Sequence, residues 1–317
     1  MRKCFLLFIL SIIVCSLFIQ SCDKSEKATH VQKRLKVVTT LYPLYDFAKN
    51  IGQEKTEVTL LLPPGVEPHT FEPRPADILR IQGSDILIFT GMFMEPWVDK
   101  VLKGVDEKRL SVVDTSKGIT LLRGAHVHDQ NEHVHAEAPG SPDPHIWLDL
   151  SNAMEMVDTI AAEYIAKDPH NKDYYVKNSI EYKKKLEELD KKYKYGLSRC
   201  KNSMIIHAGH FAFEYLAKRY DLNYISAYKG FTPDAEPSPK GIVELAHAIK
   251  KFGAQFIYYE ELISPKIAET ISKETGCGLL MLHAAHNVTK EEMDKGVNFI
   301  SLMEKNLENL KVGLQCP

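Results

Sequence analysis

The chain has no GxxxxGK(S/T) run, no HExxH and no CxxC. These absences exclude, in turn, a P-loop nucleotidase, a zincin-type metalloprotease, and a zinc finger or thioredoxin-like redox site. Excess charge is also missing. Lysine and arginine number 40 against 42 aspartates and glutamates, a formal net of −2, so no basic face for nucleic acid is implied. A membrane-spanning helix is lacking too. The apolar run Phe5–Ile19 is shorter than the ~20 residues needed to cross a bilayer. Composition is otherwise that of a soluble globular protein, 44% hydrophobic and 26% charged.

That apolar run, preceded by Arg2 and Lys3, reads as a secretory signal over residues 1–22. Its ending, Ile19-Gln20-Ser21-Cys22, resembles a bacterial lipobox, which makes Cys22 the expected lipidation site and new N-terminus. Residues 23–33 are polar and read as a flexible tether. Of six cysteines, Cys4 and Cys15 leave with the signal; Cys200, Cys277 and Cys316 remain. Three is odd. One disulfide in an exported protein and buried free thiols both stay open.

From Leu35 onward, apolar runs of four to eight residues alternate with helical patterns. The runs are LKVVTT, VTLLL, ILIFTG and RLSVVDT, then SMIIHAG, NYISAYKG, QFIYYEE and GLLMLH. The alternation predicts an α/β fold of two βα lobes with mainly parallel sheets. The lobes are expected over 34–169 and 198–317. A proline-free stretch, 170–197, carries Tyr182, Leu186, Leu189, Tyr193 and Leu197 on one face. It predicts a helix of roughly 40 Å joining the lobes. A last helix is expected from near Thr289, with a Thr-Lys-Glu-Glu capping pattern, to about Leu310.

Histidine supplies the chemistry. His69, His210 and His286 each follow a strand-like run, and His145 opens DPHIWLD. In open α/β sheets ligands bind beyond the carboxyl ends of strands, which places these four in the cleft between the lobes. Four imidazoles satisfy tetrahedral Zn2+ with no position left for a reactive water. His283 and Glu260 are rivals for the fourth place, and His207 is expected to pack or to support. Glu67, beside the first motif, is close enough to approach the ion. Tyr42 and Trp147 are expected to pack around it, and His30, His170 and His247 to lie on the surface. His126, His128, His133 and His135 make a His-rich loop, 123–144, read as metal-collecting. Imidazole suits zinc and carboxylate suits manganese, so Mn2+ is the lesser candidate. Affinity should weaken as pH falls through the imidazole range near ~6.5.

PHTFEPRPAD, DPHIWLD, LYPLYDFAKNIG, GHFAFEYLAKRYDL, AEPSPKGI and HNVTKEE together resemble the zinc- and manganese-specific solute-binding lipoproteins of bacterial ABC importers. The resemblance covers nearly the whole mature chain. It implies that His69, His145 and His210 are metal ligands. Relatives often have Asp or Glu as the fourth, where His286 stands here. It further implies a monomer held at the cell envelope by a lipid anchor, which passes zinc to an ABC permease and its ATPase. The linking helix would permit only limited lobe movement. Two rival readings belong to other classes. A zinc hydrolase would use three histidines and Glu260 or Glu261 as base. A surface adhesin is the other, since some relatives are described as adhesive.

Overall fold

Eight short runs rich in Val, Ile, Leu and Tyr form strands in the computed structural model, which describes residues 34–105, 109–123, 141–228 and 239–317. The signal and tether, Cys22, and the loop histidines His126, His128, His133 and His135 lie outside the described residues. The first sheet contains β1 (Leu35–Thr39), β2 (Thr56–Leu60), β3 (Ile86–Phe89) and β4 (Ser111–Asp114), in the order β2-β1-β3-β4. The second contains β5 (Met204–His207), β6 (Asn223–Ser226), β7 (Phe256–Tyr259) and β8 (Gly278–Met281), in the order β6-β5-β7-β8. Every pairing is parallel, so helical crossovers must cover the faces.

In chain order the helices are α1 (Tyr42–Gly52), α2 (Pro75–Gln82), α3 (Trp97–Leu102), α4 (Leu150–Lys167) and α5 (Lys172–Leu197). They continue with α6 (Glu214–Arg219), α7 (Pro239–Phe252), α8 (Lys266–Thr275), α9 (Lys290–Asp294) and α10 (Phe299–Gly313). Helix α5 runs along both lobes. Near its start Asn178 Nδ2 donates to Ile51 O (2.9 Å) and the Tyr182 hydroxyl to Asp46 (2.7 Å), both on α1. Near its end Lys192 pairs with Glu304 (2.7 Å) and the Tyr193 hydroxyl donates to Met303 O (2.5 Å), both on α10.

Two expectations change. Residues 150–167, to which the sequence reading assigned no element, form an eighteen-residue helix capped by Asp149, whose side chain accepts from Ser151 N. The last helix is two helices. Gly296 turns the chain at φ 70°, and the Asn298 side chain then caps a new helix by accepting from Ser301 N.

Strand alternation sorts the core. Val37, Ile86 and Ile88 face inward, as do Ile205 and Tyr258 from the second sheet, and they share one continuous apolar cluster with α1, α4, α5 and α10. Val38, Leu87 and Phe89 face the other way, onto α2 and α3. Ile206 and Ile257 likewise turn onto α7 and α8. The period of two therefore gives each sheet an outer core of its own and an inner core held in common.

Candidate metal centre

Four loops at the carboxyl ends of the strands bring His69, His145, His210 and His286 together. Each offers one ring nitrogen, and the four nitrogens lie within 4.8 Å of one another. The six ring-centroid separations all fall between 4.9 and 5.6 Å. A square set would need diagonals about 1.4 times its edges, so near-equal spacing means a tetrahedral arrangement. His69 Nε2 and His145 Nε2 stand 3.2 Å apart. Two nitrogens on a tetrahedral zinc would be about 3.3 Å apart. The other separations, none above 4.8 Å, contract toward that value when the set closes on an ion. Among the described residues, His286 Nε2 is buried without a hydrogen-bond partner, as are His207 Nε2 and His283 Nε2, and of these three only His286 belongs to the converging set.

Carboxylates stand behind three of the rings. Asp143 Oδ1 takes His145 Nδ1 (2.7 Å) and the His145 backbone N–H (2.9 Å). Glu260 holds His210 twice, through Nδ1 and through the backbone N–H (3.0 Å). Glu261 Oε1 reaches His286 Nδ1 (3.4 Å). A partner on Nδ1 fixes the ring and the tautomer, and leaves Nε2 facing the centre. Gly209 makes the Glu260 contact possible, because a Cβ there would lie 2.2 Å from Glu260 Oε1.

Electrostatics follow from burial. Desolvation first, then the neighbouring rings, hold His69 and His145 well below the ordinary imidazole value. Burial and the adjacent Glu261 push Glu260 well above the carboxylate range. Burial would raise Glu261 as well, but His283, His286 and the Ala284 N–H outweigh it and hold its carboxyl at about 2.

The remaining candidates sit around the tetrad. His283 lies outside it; its Nδ1 accepts from Ala285 N (2.9 Å), and Glu261 stands 3.5 Å away. The fourth place therefore belongs to His286 in the set of converging nitrogens, and His283 stands behind it near the same carboxylate. His207 packs on Phe211 and Phe213, and burial lowers it to about 4. Glu260 supports a histidine from behind. Half-buried Glu67 accepts from Thr70 N (3.2 Å). Trp147 packs against His145 and His286, and its Nε1 donates to Ala284 O (2.7 Å). The chain reaches His286 through Ala285 at φ 60°, a left-handed conformation unusual for alanine. Sequence reasoning missed Asp143 as a support, although it lies two residues before His145 in DPHIWLD. It also missed Glu261's hold on His286, for which only the adjacent Glu260 gave a signal.

Comparison with known proteins bears on the same features. Residues 37–313 match the model of the family described as zinc-uptake complex component A, periplasmic (ZnuA). The chain is 38% identical over 307 residues to the high-affinity zinc uptake system protein ZnuA of Bacillus subtilis (strain 168), covering 96% of each. It is 36% identical over 300 residues to the zinc-binding lipoprotein AdcA of Streptococcus pneumoniae, covering 94% of this chain but only 59% of that protein. Among solved structures, the Zn(II)-bound ZnuA-like domain of S. pneumoniae AdcA superposes with a TM-score of 0.76 at 35% identity, covering 89% of this chain and 99% of that one. The laminin-binding protein Lmb of Streptococcus agalactiae, described as bifunctional with adhesin and metal transporting activity, gives 0.76 at 29% identity, covering 89% and 100%.

Proposed function

The chain belongs to the ZnuA family of zinc-uptake components, and from that premise we propose that it captures Zn2+ outside the cytoplasm and delivers it to an ABC permease driven by a cytoplasmic ATPase. The observation that carries the reading is the near-tetrahedral set of four imidazoles, His69, His145, His210 and His286. These four are the ligands. Imidazole favours zinc over manganese, and the carboxylates that would suit manganese stand behind the rings. With four protein nitrogens the coordination set is full. No position remains for a reactive water, and the protein acts as a carrier without catalysis.

The remaining parts fit a carrier working at the envelope. Residues 1–22 are the export signal, Cys22 carries the lipid, and 23–33 are the tether. The loop histidines His126, His128, His133 and His135 collect zinc and pass it inward. Residues 34–169 and 198–317 form the two lobes, with 170–197 as the link. One copy suffices for binding, because all four ligands come from one chain.

A chelator-competition titration of zinc and manganese tests the reading on wild type and His286→Ala. The expected result is tight one-site zinc binding, with zinc preferred, weakened at least ~100-fold in the variant. Tight binding retained by the variant would transfer the fourth place to His283 or Glu260. Deleting the gene should abolish growth in zinc-limited medium, and zinc supplementation should restore it.

A further inference from the structure

His69 and His286 come from loops far apart in sequence, one after β2 and one after β8, yet their rings stand 5.3 Å apart. One fully buried side chain, Asn287, bridges those loops. Its Nδ2 donates to Pro63 O (2.6 Å) and Val66 O (3.0 Å), on either side of the turn that leads to His69. Its Oδ1 accepts from the next backbone N–H, Val288 (2.9 Å). Both amide protons of this buried side chain are used. One main-chain bond runs beside it, from Gly65 N to Val288 O (2.9 Å). Gly65 adopts φ 80°, which brings that N–H around to the partner loop.

The same loop is fastened at two further points. Trp147 Nε1 donates to Ala284 O (2.7 Å), and Tyr42 N donates to His286 O (3.1 Å). His286 follows the second sheet in sequence, but its loop is bonded to three segments of the first lobe. His210 is held from its own lobe by Glu260, which follows β7 and takes both its Nδ1 and its backbone N–H.

We propose that Asn287 is a positioning residue that fixes His69 against His286, so that His69, His145 and His286 form one preassembled triad which His210 completes from the other lobe. The proposal rests on the four-histidine zinc reading. Asn287 touches no metal; it acts through the turn that carries His69. Without the amide, two carbonyls of the turn lose their shared donor and the His69 loop can drift, so a ligand must be reordered at the moment of binding.

The experiment is a double-mutant cycle on the full chain. Zinc affinity is measured by chelator competition in wild type, Asn287→Ala, His69→Ala and the double variant. Melting temperatures and the visible spectrum of the Co2+ forms are recorded alongside. Asn287→Ala should weaken zinc binding about 10–100-fold and alter the Co2+ spectrum, as loss of an outer support does. In the His69→Ala background the same change should cost less than about 2-fold, because nothing is left to position. Asn287→Ser, which keeps one donor, should fall between; if Asn287→Ala does not fold, it carries the cycle alone. An unchanged affinity, or an equal loss with and without His69, would overturn the proposal. Were wild type and His69→Ala to bind zinc equally, the four-histidine reading itself would fall.

Discussion

Burial sets the protonation of His69 and His145 before any cation arrives. His69 and His145 are held well below the ordinary imidazole value by desolvation and by each other's neighbours. Four imidazoles titrating at about 6.5 would lose roughly 10⁴-fold in apparent zinc affinity between pH 7.5 and 5.5. His69 and His145, already neutral, take no share of that loss, so the expected fall is well short of ~10⁴-fold. The weakening expected from ordinary imidazoles is thereby moved to lower pH. The same shifts affect the metal-free protein. A depressed folded-state pKa means the unfolded chain binds more protons below about 6.5. That contribution to stability is complete above about 6.5 and is lost as pH falls through the folded values. Chelator competition at the two pH values checks the first claim, and a 10⁴-fold fall would refute it. Melting curves of the zinc-free protein check the second.

At the scale of elements, the chain closes on itself through Cys200 and Cys316. Cys200 follows α5 and Cys316 follows α10, and the structure joins them by a disulfide across 116 residues of sequence, leaving Cys277 buried and free. Two main-chain bonds run alongside, Lys201 N to Gln315 O (3.2 Å) and Asn202 N to Leu314 O (3.1 Å). A bridge over so long a loop contributes about 2–4 kcal/mol. The Cys200→Ser/Cys316→Ser variant should melt roughly 5–10 °C lower. A reductant should bring wild type to the same midpoint and leave the variant unmoved; an equal response in both would discount the bridge. Three cysteines allow three pairings, and nothing local distinguishes them, so the sequence left this pair open. The strands were legible as short apolar runs alternating with helical patterns, and α5 because it repeats one period over many residues. Helix α4 was missed because its start is hidden inside a motif: its cap, Asp149, is the last residue of DPHIWLD, although the seven buried residues that follow fill one stripe. The break at 295–298 was hidden by one capping pattern masking a second. The histidines were legible from strand ends and motifs. Asn287 and Glu261 were not, because a polar side chain's task depends on partners that only the fold supplies.

At the scale of the whole molecule, residues 34–317 form one compact unit, although they contain two sheets of identical strand order. The inner faces of both sheets feed one apolar cluster, extending from Val37 to Leu314. Polar ties cross at several places. Tyr182 and the Phe299 N–H (3.4 Å) both reach Asp46, and Arg219 reaches Asp149 (2.9 Å) and Asp190 (2.7 Å). A hinge opening widely would have to expose that common core, at about 25 cal/mol for each Å2 of apolar surface. Cargo exchange must therefore proceed by small displacements within a common core. Two measurements follow from one shared core. Calorimetry of the zinc-free protein should give a single transition, because neither lobe keeps its inner layer without the other. Zinc at 100 times its dissociation constant adds about 2.7 kcal/mol and should raise that transition by roughly 5 °C without splitting it. Two transitions in the zinc-free protein, merging when zinc is added, would instead mean that the lobes fold independently and that the metal, rather than the core, joins them.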